Sequence, residues 1–177
     1  RKRTLFQHYQ GNFCAFFKHS QALAAGDVWR MKVVEGEGAQ IGFAGPDYDM
    51  KKHSETYHTI CRISLYNGGT VIFRDLSLDG KEHVQPYYLG PHIPETRPYQ
   101  LALRIDKDGN MPQVQFAEDG VWHDFTPSES RVGLKAGPWY PYLDLQQDDR
   151  VTDHVVDHPR PTKSAAFESS KQEGAPP

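Results

Sequence analysis

Residues 28–35 read Val-Trp-Arg-Met-Lys-Val-Val-Glu, and the character of their side chains alternates. Trp29, Met31 and Val33 fall on one side of an extended chain, whereas Arg30 and Lys32 fall on the other. Successive side chains of a β-strand point to opposite faces of the sheet. The run therefore predicts a strand with one dry face and one solvent-facing face, and it places Trp29 in the core.

The same alternation recurs farther along the chain. In residues 61–65 the apolar positions alternate with Arg62 and Ser64, and residues 101–105 and 113–116 follow the same pattern. A half-buried antiparallel strand has this period of two. Phe73, in another apolar run, is predicted to be a core neighbour.

Turn dipeptides separate the apolar runs and favour tight hairpins. Such pairs tolerate the positive φ angles that two-residue hairpin turns require. They are Asn67-Gly68, Asp79-Gly80, Asp108-Gly109 and Asp119-Gly120.

These signals together predict an all-β fold, an antiparallel two-sheet β-sandwich of the jelly-roll or concanavalin-like kind. No window shows a sustained helical period, and residues 20–25 favour a turn. The predicted strands lie near 4–9, 12–18, 27–35, 39–44, 57–66, 70–75, 99–106, 112–118, 121–125, 131–134, 139–145 and 150–156.

The composition predicts one domain with a tail. Residues 1–157 form the predicted sandwich, and residues 158–177 are rich in Pro, Ser, Lys, Glu and Gln, which is typical of a disordered tail or linker. A net charge of −3 gives no general attraction to nucleic acid or to an anionic membrane. Cys14 and Cys61 lie in apolar runs and no Asn-x-Ser/Thr sequence occurs, which favours buried thiols in a cytoplasmic protein.

The sequence patterns that could indicate catalysis or metal binding lack the residues or the spacing that these functions require. Residues 106–110 have too few oxygens at alternating positions for a Ca²⁺ loop and are typical of a hairpin turn. On a strand, His154 and His158 would lie about 13 Å apart, too far for one metal, and we expect them at the surface. Gly-x-Ser-x-Gly is absent, and Glu35 and Glu37 flank a turn glycine rather than a groove. We therefore expect no catalytic residue, no metal and no cofactor.

Several segments resemble a known family in their order and spacing. Residues 12–17 (Asn-Phe-Cys-Ala-Phe-Phe), 40–44 (Gln-Ile-Gly-Phe-Ala), 106–110 (Asp-Lys-Asp-Gly-Asn) and 138–145 (Pro-Trp-Tyr-Pro-Tyr-Leu-Asp-Leu) resemble the Neuralized homology repeat. The last run also resembles the related SPRY domains, which share the sandwich fold. Residues 57–98 do not align with the repeat.

The resemblance implies a module that binds protein partners through loops on a rigid sandwich. Many such domains belong to ubiquitin ligases, where they select the substrate and perform no chemistry themselves. Here two long connections, 45–56 and 83–98, and the start of a late strand carry aromatic and charged residues suited to recognition. The predicted partner-binding residues are Tyr48, Asp49, Lys51, Tyr87, Tyr88, Trp139 and Tyr140.

Two other functions are compatible with a sandwich. A carbohydrate-binding, lectin-like module would use exposed coplanar aromatics, and a core position for Trp139 and Tyr142 is as consistent with the sequence as a binding position. An enzyme would need converging acids or a metal set, and no such pair is present. We expect a protein or peptide partner in a shallow site formed by loops at one end of the sheets, with no nucleic-acid and no membrane partner.

Overall fold

The structure is a computed structural model, and it describes residues 6–10, 14–36, 39–49, 51, 58–76, 79–106, 111–125 and 137–158. The predicted strand at 131–134, the Asp108-Gly109 turn and residues 159–177 of the predicted tail lie outside these ranges. No helix within them has the length and hydropathy that a membrane span requires.

The regular secondary structure of the described residues is almost entirely β-strand, with a short 3-10 helix at Gly90–His92. The strands are β1 (Phe6–Gln10), β2 (Cys14–His19), β3 (Val28–Glu35), β4 (Gln40–Ala44), β5 (Ile60–Ser64), β6 (Thr70–Arg74), β7 (His83–Gln85), β8 (Tyr99–Ile105), β9 (Pro112–Phe116), β10 (His123–Asp124), β11 (Tyr140–Gln146) and β12 (Arg150–Asp157).

The strands form two antiparallel sheets, which confirms the predicted sandwich. The larger sheet has the order β1-β2-β11-β4-β5-β6-β7, and the smaller has the order β10-β9-β8-β3-β12. Strand β7 was not predicted, because its three residues have no alternating pattern. The turn predicted at 20–25 is present, where the Asp27 carboxylate accepts a hydrogen bond from the Ala24 N–H at 3.0 Å.

The inner faces of the two sheets make the core, and alternation along each strand selects its members. Trp29 of β3 is fully buried and meets Phe43 of β4 edge-on, with ring centroids 6.3 Å apart. Such an aromatic pair contributes roughly 0.5–1.5 kcal/mol beyond the area it buries. Phe73 is also buried, so the predicted core positions of Trp29 and Phe73 are confirmed.

Two predictions about individual side chains need correction or completion. His154 is not a surface residue, because its ring is largely buried and stacks on Trp29 with centroids 6.3 Å apart. Desolvation in that position lowers the pKa of the His154 imidazole. Cys61 is a buried reduced thiol, as predicted, and burial raises its pKa.

The two long predicted loops leave the sandwich at opposite ends. Ala44 pairs with both Ile60 and Tyr140, so the β4–β5 connection and the start of β11 lie at one end, here called the Ala44 end. Gln85 pairs with Val71 near the start of β6, which places the β7–β8 connection at the other end, here called the Ser64 end. The strand pairing therefore places the two loops apart, and a binding site at one end would use only one of them.

Tyr99 gives a prediction about alkaline stability. It is 5% exposed and its hydroxyl has no hydrogen-bond partner in the described ranges, and burial raises its pKa to about 12. An unfolded tyrosine loses its proton near pH 10. Between about pH 10 and 12 only the unfolded chain releases the proton, so the free energy of unfolding falls as pH rises, by up to roughly 2–3 kcal/mol.

Tyr99→Phe is expected to remove this part of the decrease in the free energy of unfolding at alkaline pH. The variant should match or exceed the wild-type stability at pH 8, because the deleted hydroxyl is buried and unpaired. Urea unfolding at pH 8, 10 and 11 measures both effects. Tyr66→Phe, at a position 73% exposed, is the control. If the free energy of unfolding fell equally with rising pH in Tyr99→Phe and in the wild type, the prediction would be contradicted.

Candidate functional site

The outer face of the seven-stranded sheet, opposite the core, contains a groove of about 260 Å³ near the Ala44 end. It combines apolar, aromatic and charged side chains from four strands and their connections. We call it the outer groove. Its lining residues are Phe16, Tyr48, His58, Ile60, Arg62, Ile72, Arg74, Glu82, Tyr142 and Asp144.

The pleat of the sheet places these side chains outward. In β4 the core residues Ile41 and Phe43 flank Gly42, so Gly42 lies on the outer face. Gly42 pairs with Tyr142 on one side and with Arg62 on the other, which makes one row across β11, β4 and β5. Because glycine has no side chain, this row contributes only the side chains of Tyr142 and Arg62 to the outer face of these three strands.

Gly42 is required by the close approach of β5. A Cβ atom added there would overlap the Cys61 carbonyl oxygen and would lie 2.6 Å from the Arg62 Cα. Real Cβ contacts with backbone are never so short, and backbone cannot move aside as a side-chain tip can. The pairing of β4 with β5 therefore requires a glycine at this position.

Tyr48 is carried over the outer face by the β4–β5 connection. A tight turn begins this connection, in which the Tyr48 N–H donates to the Gly45 carbonyl at 3.2 Å. The Asp47 carboxylate fixes the far side of the connection by accepting from the Thr59 N–H at 3.1 Å. The Tyr48 ring, 7% exposed, then packs against His58, with ring centroids 4.7 Å apart.

Tyr48 and Tyr142 form one wall of the outer groove. Their rings meet at 65° with centroids 5.0 Å apart, and the Tyr48 hydroxyl donates to the Tyr142 hydroxyl at 3.2 Å. Desolvation raises the pKa of Tyr48 and raises that of Tyr142 well above its ordinary value. Both hydroxyls therefore keep their protons at neutral pH and serve as hydrogen-bond donors.

The two arginines of the outer groove differ in their partners. Arg74 donates to the Glu82 carboxylate at 2.7 Å, which makes a charge-assisted ion pair. The Arg62 Nε is buried, and the described residues supply no hydrogen-bond partner for it. Asp144 is also buried, and it accepts a hydrogen bond from the Gln146 side chain at 3.4 Å.

Lys18 of β2 forms the rim beside Tyr48. Its ammonium donates to the Tyr48 carbonyl at 3.1 Å and lies 4.6 Å from the centre of the Tyr140 ring. Desolvation lowers the pKa of Lys18, and the charges of Asp47 and Asp49 oppose this shift. A cation over an aromatic face stabilises the rim by roughly 0.5–2 kcal/mol.

The predicted binding residues at the Ala44 end have unequal access to a partner. Trp139 is 1% exposed and belongs to the core, so it offers no contact surface. Tyr48 is a buried wall and Tyr140 a half-buried rim residue. Asp49 is exposed and accepts from the Lys51 N–H at 2.9 Å, which fixes the local turn.

Tyr87 and Tyr88 lie at the Ser64 end, away from these residues. Tyr87 is 69% exposed and has a positive φ of 58°, and Tyr88 packs partly against the core. The Leu89 N–H donates to the Gly69 carbonyl at 3.2 Å, which docks this loop on the β5–β6 turn. The structure thus separates the predicted set into two groups.

Several strand residues of the outer groove were not predicted as binding residues, among them Arg62, Ile72 and Asp144. Arg62 was correctly placed on the solvent-facing side of its strand but was not assigned a role. The usable signal was large polar and aromatic side chains at outward positions of several strands. Such residues point to one place only after the strand order is known.

The groove has the chemistry of a binding site. Within the described ranges, no group of three or more His, Cys, Asp or Glu residues could hold a metal ion. Ile60, Ile72 and the two tyrosines offer apolar contact, and Arg62 offers donors to an acceptor.

Solved structures of low sequence identity are similar to this chain. The SPRY domain of human HERC1 is similar, with 11% sequence identity, a TM-score of 0.52, and coverage of 88% of this chain and 89% of that chain. Carbohydrate binding module CBM66 from Bacillus subtilis is similar at 9% identity, a TM-score of 0.48 and 88% and 92% coverage. The TRIM65 PSpry domain is similar at 8% identity, a TM-score of 0.45 and 87% and 86% coverage.

The likeness to the HERC1 domain shows a SPRY-like β-sandwich. No family model matches the chain, and no curated protein matches it. The SPRY part of the predicted resemblance is thus supported at the level of fold, and its Neuralized-specific part stays a prediction.

Gly42→Ala is expected to destabilise the protein by about 1–3 kcal/mol, because the new methyl group must push β4 away from β5. Urea unfolding measures the loss. Gln100→Ala, at an exposed position of β8, is the control and should change stability by less than about 0.5 kcal/mol. If Gly42→Ala were as stable as the wild type, the pairing of β4 with β5 would not require a glycine at this position.

Proposed function

We propose that this chain is a protein-interaction module that holds a short peptide or loop of a partner protein in the outer groove. The observation that supports this most directly is the half-buried Arg62, whose buried Nε has no hydrogen-bond partner among the described residues and is set among apolar and aromatic walls. Desolvated anchors surrounded by apolar contact are typical of the energetic centres of protein interfaces. The proposed role is binding, without catalysis by the domain itself.

The size of the groove favours a short segment. A volume of about 260 Å³ lies just below the roughly 300–1,000 Å³ of pockets that enclose drug-sized ligands. It can take one or two side chains of an extended segment, and the remainder of that segment would cross the rim. Lys18, Tyr140, Asp49 and Lys51 lie at that end of the sandwich and would set specificity and association rate.

Carbohydrate binding is the second candidate, and the geometry supports it less. Sugars stack on exposed aromatic faces, whereas Tyr48 and Tyr142 are buried and meet at 65°. Tyr140 is covered on one face by the Lys18 ammonium. The wall of the groove therefore presents ring edges and hydroxyls rather than a flat platform.

A role in choosing substrates for a ubiquitin ligase is part of the proposal. It rests on the resemblance of residues 12–17 and 138–145 to Neuralized and SPRY domains. Co-purification of the natural full-length protein with ubiquitin-transfer activity, and loss of substrate modification in the groove variant described next, would test it.

A phage-displayed library of random peptides tests the binding function. Peptides enriched on the wild-type protein are expected to lose about tenfold or more in affinity to Ile72→Lys, which places a charged chain in the groove; tenfold corresponds to 1.4 kcal/mol. Tyr87→Ser, at the Ser64 end, is the matched control and should bind within about twofold of wild type. Isothermal titration calorimetry measures the affinities, and thermal unfolding verifies both folds.

The alternative outcomes separate the candidate functions. Peptides that lose affinity to Tyr87→Ser but not to Ile72→Lys would move the site to the Ser64 end. Failure to enrich any peptide, together with specific signals on a glycan array, would replace the proposal with carbohydrate binding.

A further inference from the structure

Arg62 brings a charged guanidinium with a buried Nε–H to the lining of the outer groove. Of the five donors on its guanidinium, the Nε–H is buried without an acceptor, and in the described residues no carboxylate lies within ion-pair distance of it. A buried donor left unpaired costs about 1–3 kcal/mol, and more when it is charged. An external acceptor would relieve that cost.

The acidic residues that line the groove, Glu82 and Asp144, have hydrogen-bond partners other than Arg62. Glu82 pairs with Arg74 at 2.7 Å. Asp144 accepts from the Gln146 side chain, and it affects Tyr48 and Tyr142 as a nearby charge. Among its described residues the groove therefore contains the ion pair of Arg74 with Glu82 and, beside Gly42, an arginine whose buried Nε–H can donate to an anion.

A second donor lies in the same row of the sheet as Arg62. The hydrogen bond between the Tyr48 and Tyr142 hydroxyls uses one of their two protons, so the pair retains one proton for another acceptor. Arg62 lies close enough to affect both tyrosines through its charge. Tyr142 and Arg62 flank Gly42 in one row, so an acceptor above Gly42 could reach both donors.

We propose that Arg62 and Tyr142 bind a carboxylate of the partner segment, either an Asp or Glu side chain or a C-terminus. This inference rests on the proposed function and names the chemical class of its ligand. The fork of a guanidinium matches the two oxygens of a carboxylate. Glu82 and Asp144 favour a singly charged carboxylate over a phosphate group, which carries about −1.5 to −2 charges at pH 7 and would be repelled more strongly.

Acetate is the probe, because it carries the proposed group and requires no peptide. Solution NMR of the wild-type protein follows the Arg62 Nε–Hε signal and the Tyr142 ring signals during titrations with sodium acetate, sodium chloride and inorganic phosphate. We expect saturable shifts with acetate at dissociation constants on the order of millimolar, and none with chloride at equal ionic strength. The Nε–Hε signal of Arg74, already paired with Glu82, is the internal control and should move little.

Substitutions assign the effect to the named donors. Arg62→Gln should abolish the acetate-induced shifts of the Tyr142 ring, and Arg62→Lys should weaken acetate binding by about tenfold, because lysine lacks the fork. Thermal unfolding verifies that both variants fold. If neither variant folds, the wild-type titration with its Arg74 control still decides the matter.

The outcomes distinguish this inference from the proposed function. Unsaturable shifts that match those of chloride, or tighter binding of phosphate than of acetate, would overturn the carboxylate site. Acetate binding at Arg62 without enrichment of any peptide would retain the carboxylate site and reject peptide binding. Enriched peptides that lack acids and bind Arg62→Gln as well as wild type would retain the interaction module and reject the carboxylate site.

Discussion

The pleat of β4 is the constraint on which the rest of this molecule depends. Ile41 and Phe43 point inward, where Phe43 meets Trp29 of the opposite sheet and joins the two layers. The same pleat turns Gly42 outward, between Tyr142 and Arg62. A shift of one residue in this strand would turn Phe43 to the outer face and Gly42 toward the core, so the core and the outer groove are fixed by one register.

The fold was predictable because its signals are local. Trp29 and Met31 alternate with charged neighbours within eight residues, and turn dipeptides such as Asn67-Gly68 mark where a strand must reverse. Period-two alternation needs no knowledge of which strands become neighbours. Strand β7 escaped prediction for the same reason, since three residues are too few to show a period.

The candidate site was not predictable in the same way, because it depends on strand order. Tyr48 and Tyr142 are 94 positions apart, and nothing local shows that β11 lies beside β4. The sequence also does not show which aromatic residues are exposed. Trp139 and Tyr140 are adjacent, yet Trp139 lies in the core and Tyr140 lies on the rim of the groove. Tyr48 and Tyr87 were predicted to belong to one binding site because both lie in long loops. Only the pairing of β7 with β6 shows that these loops lie at opposite ends of the sandwich.

The outer groove is formed by the residues that close a second, smaller apolar cluster. Phe16, Ala44, Tyr48, Ile60 and Tyr142 pack together on the face that a sandwich ordinarily leaves to solvent. Their burial stabilises the β4–β5 connection, and it also desolvates the groove wall. An unpaired Arg62 Nε in that setting opposes folding, since the lost hydration is not replaced. A buried donor without a partner destabilises the fold, and such features are typical of recognition sites. The apolar cluster around Tyr48 contributes stability that offsets this cost.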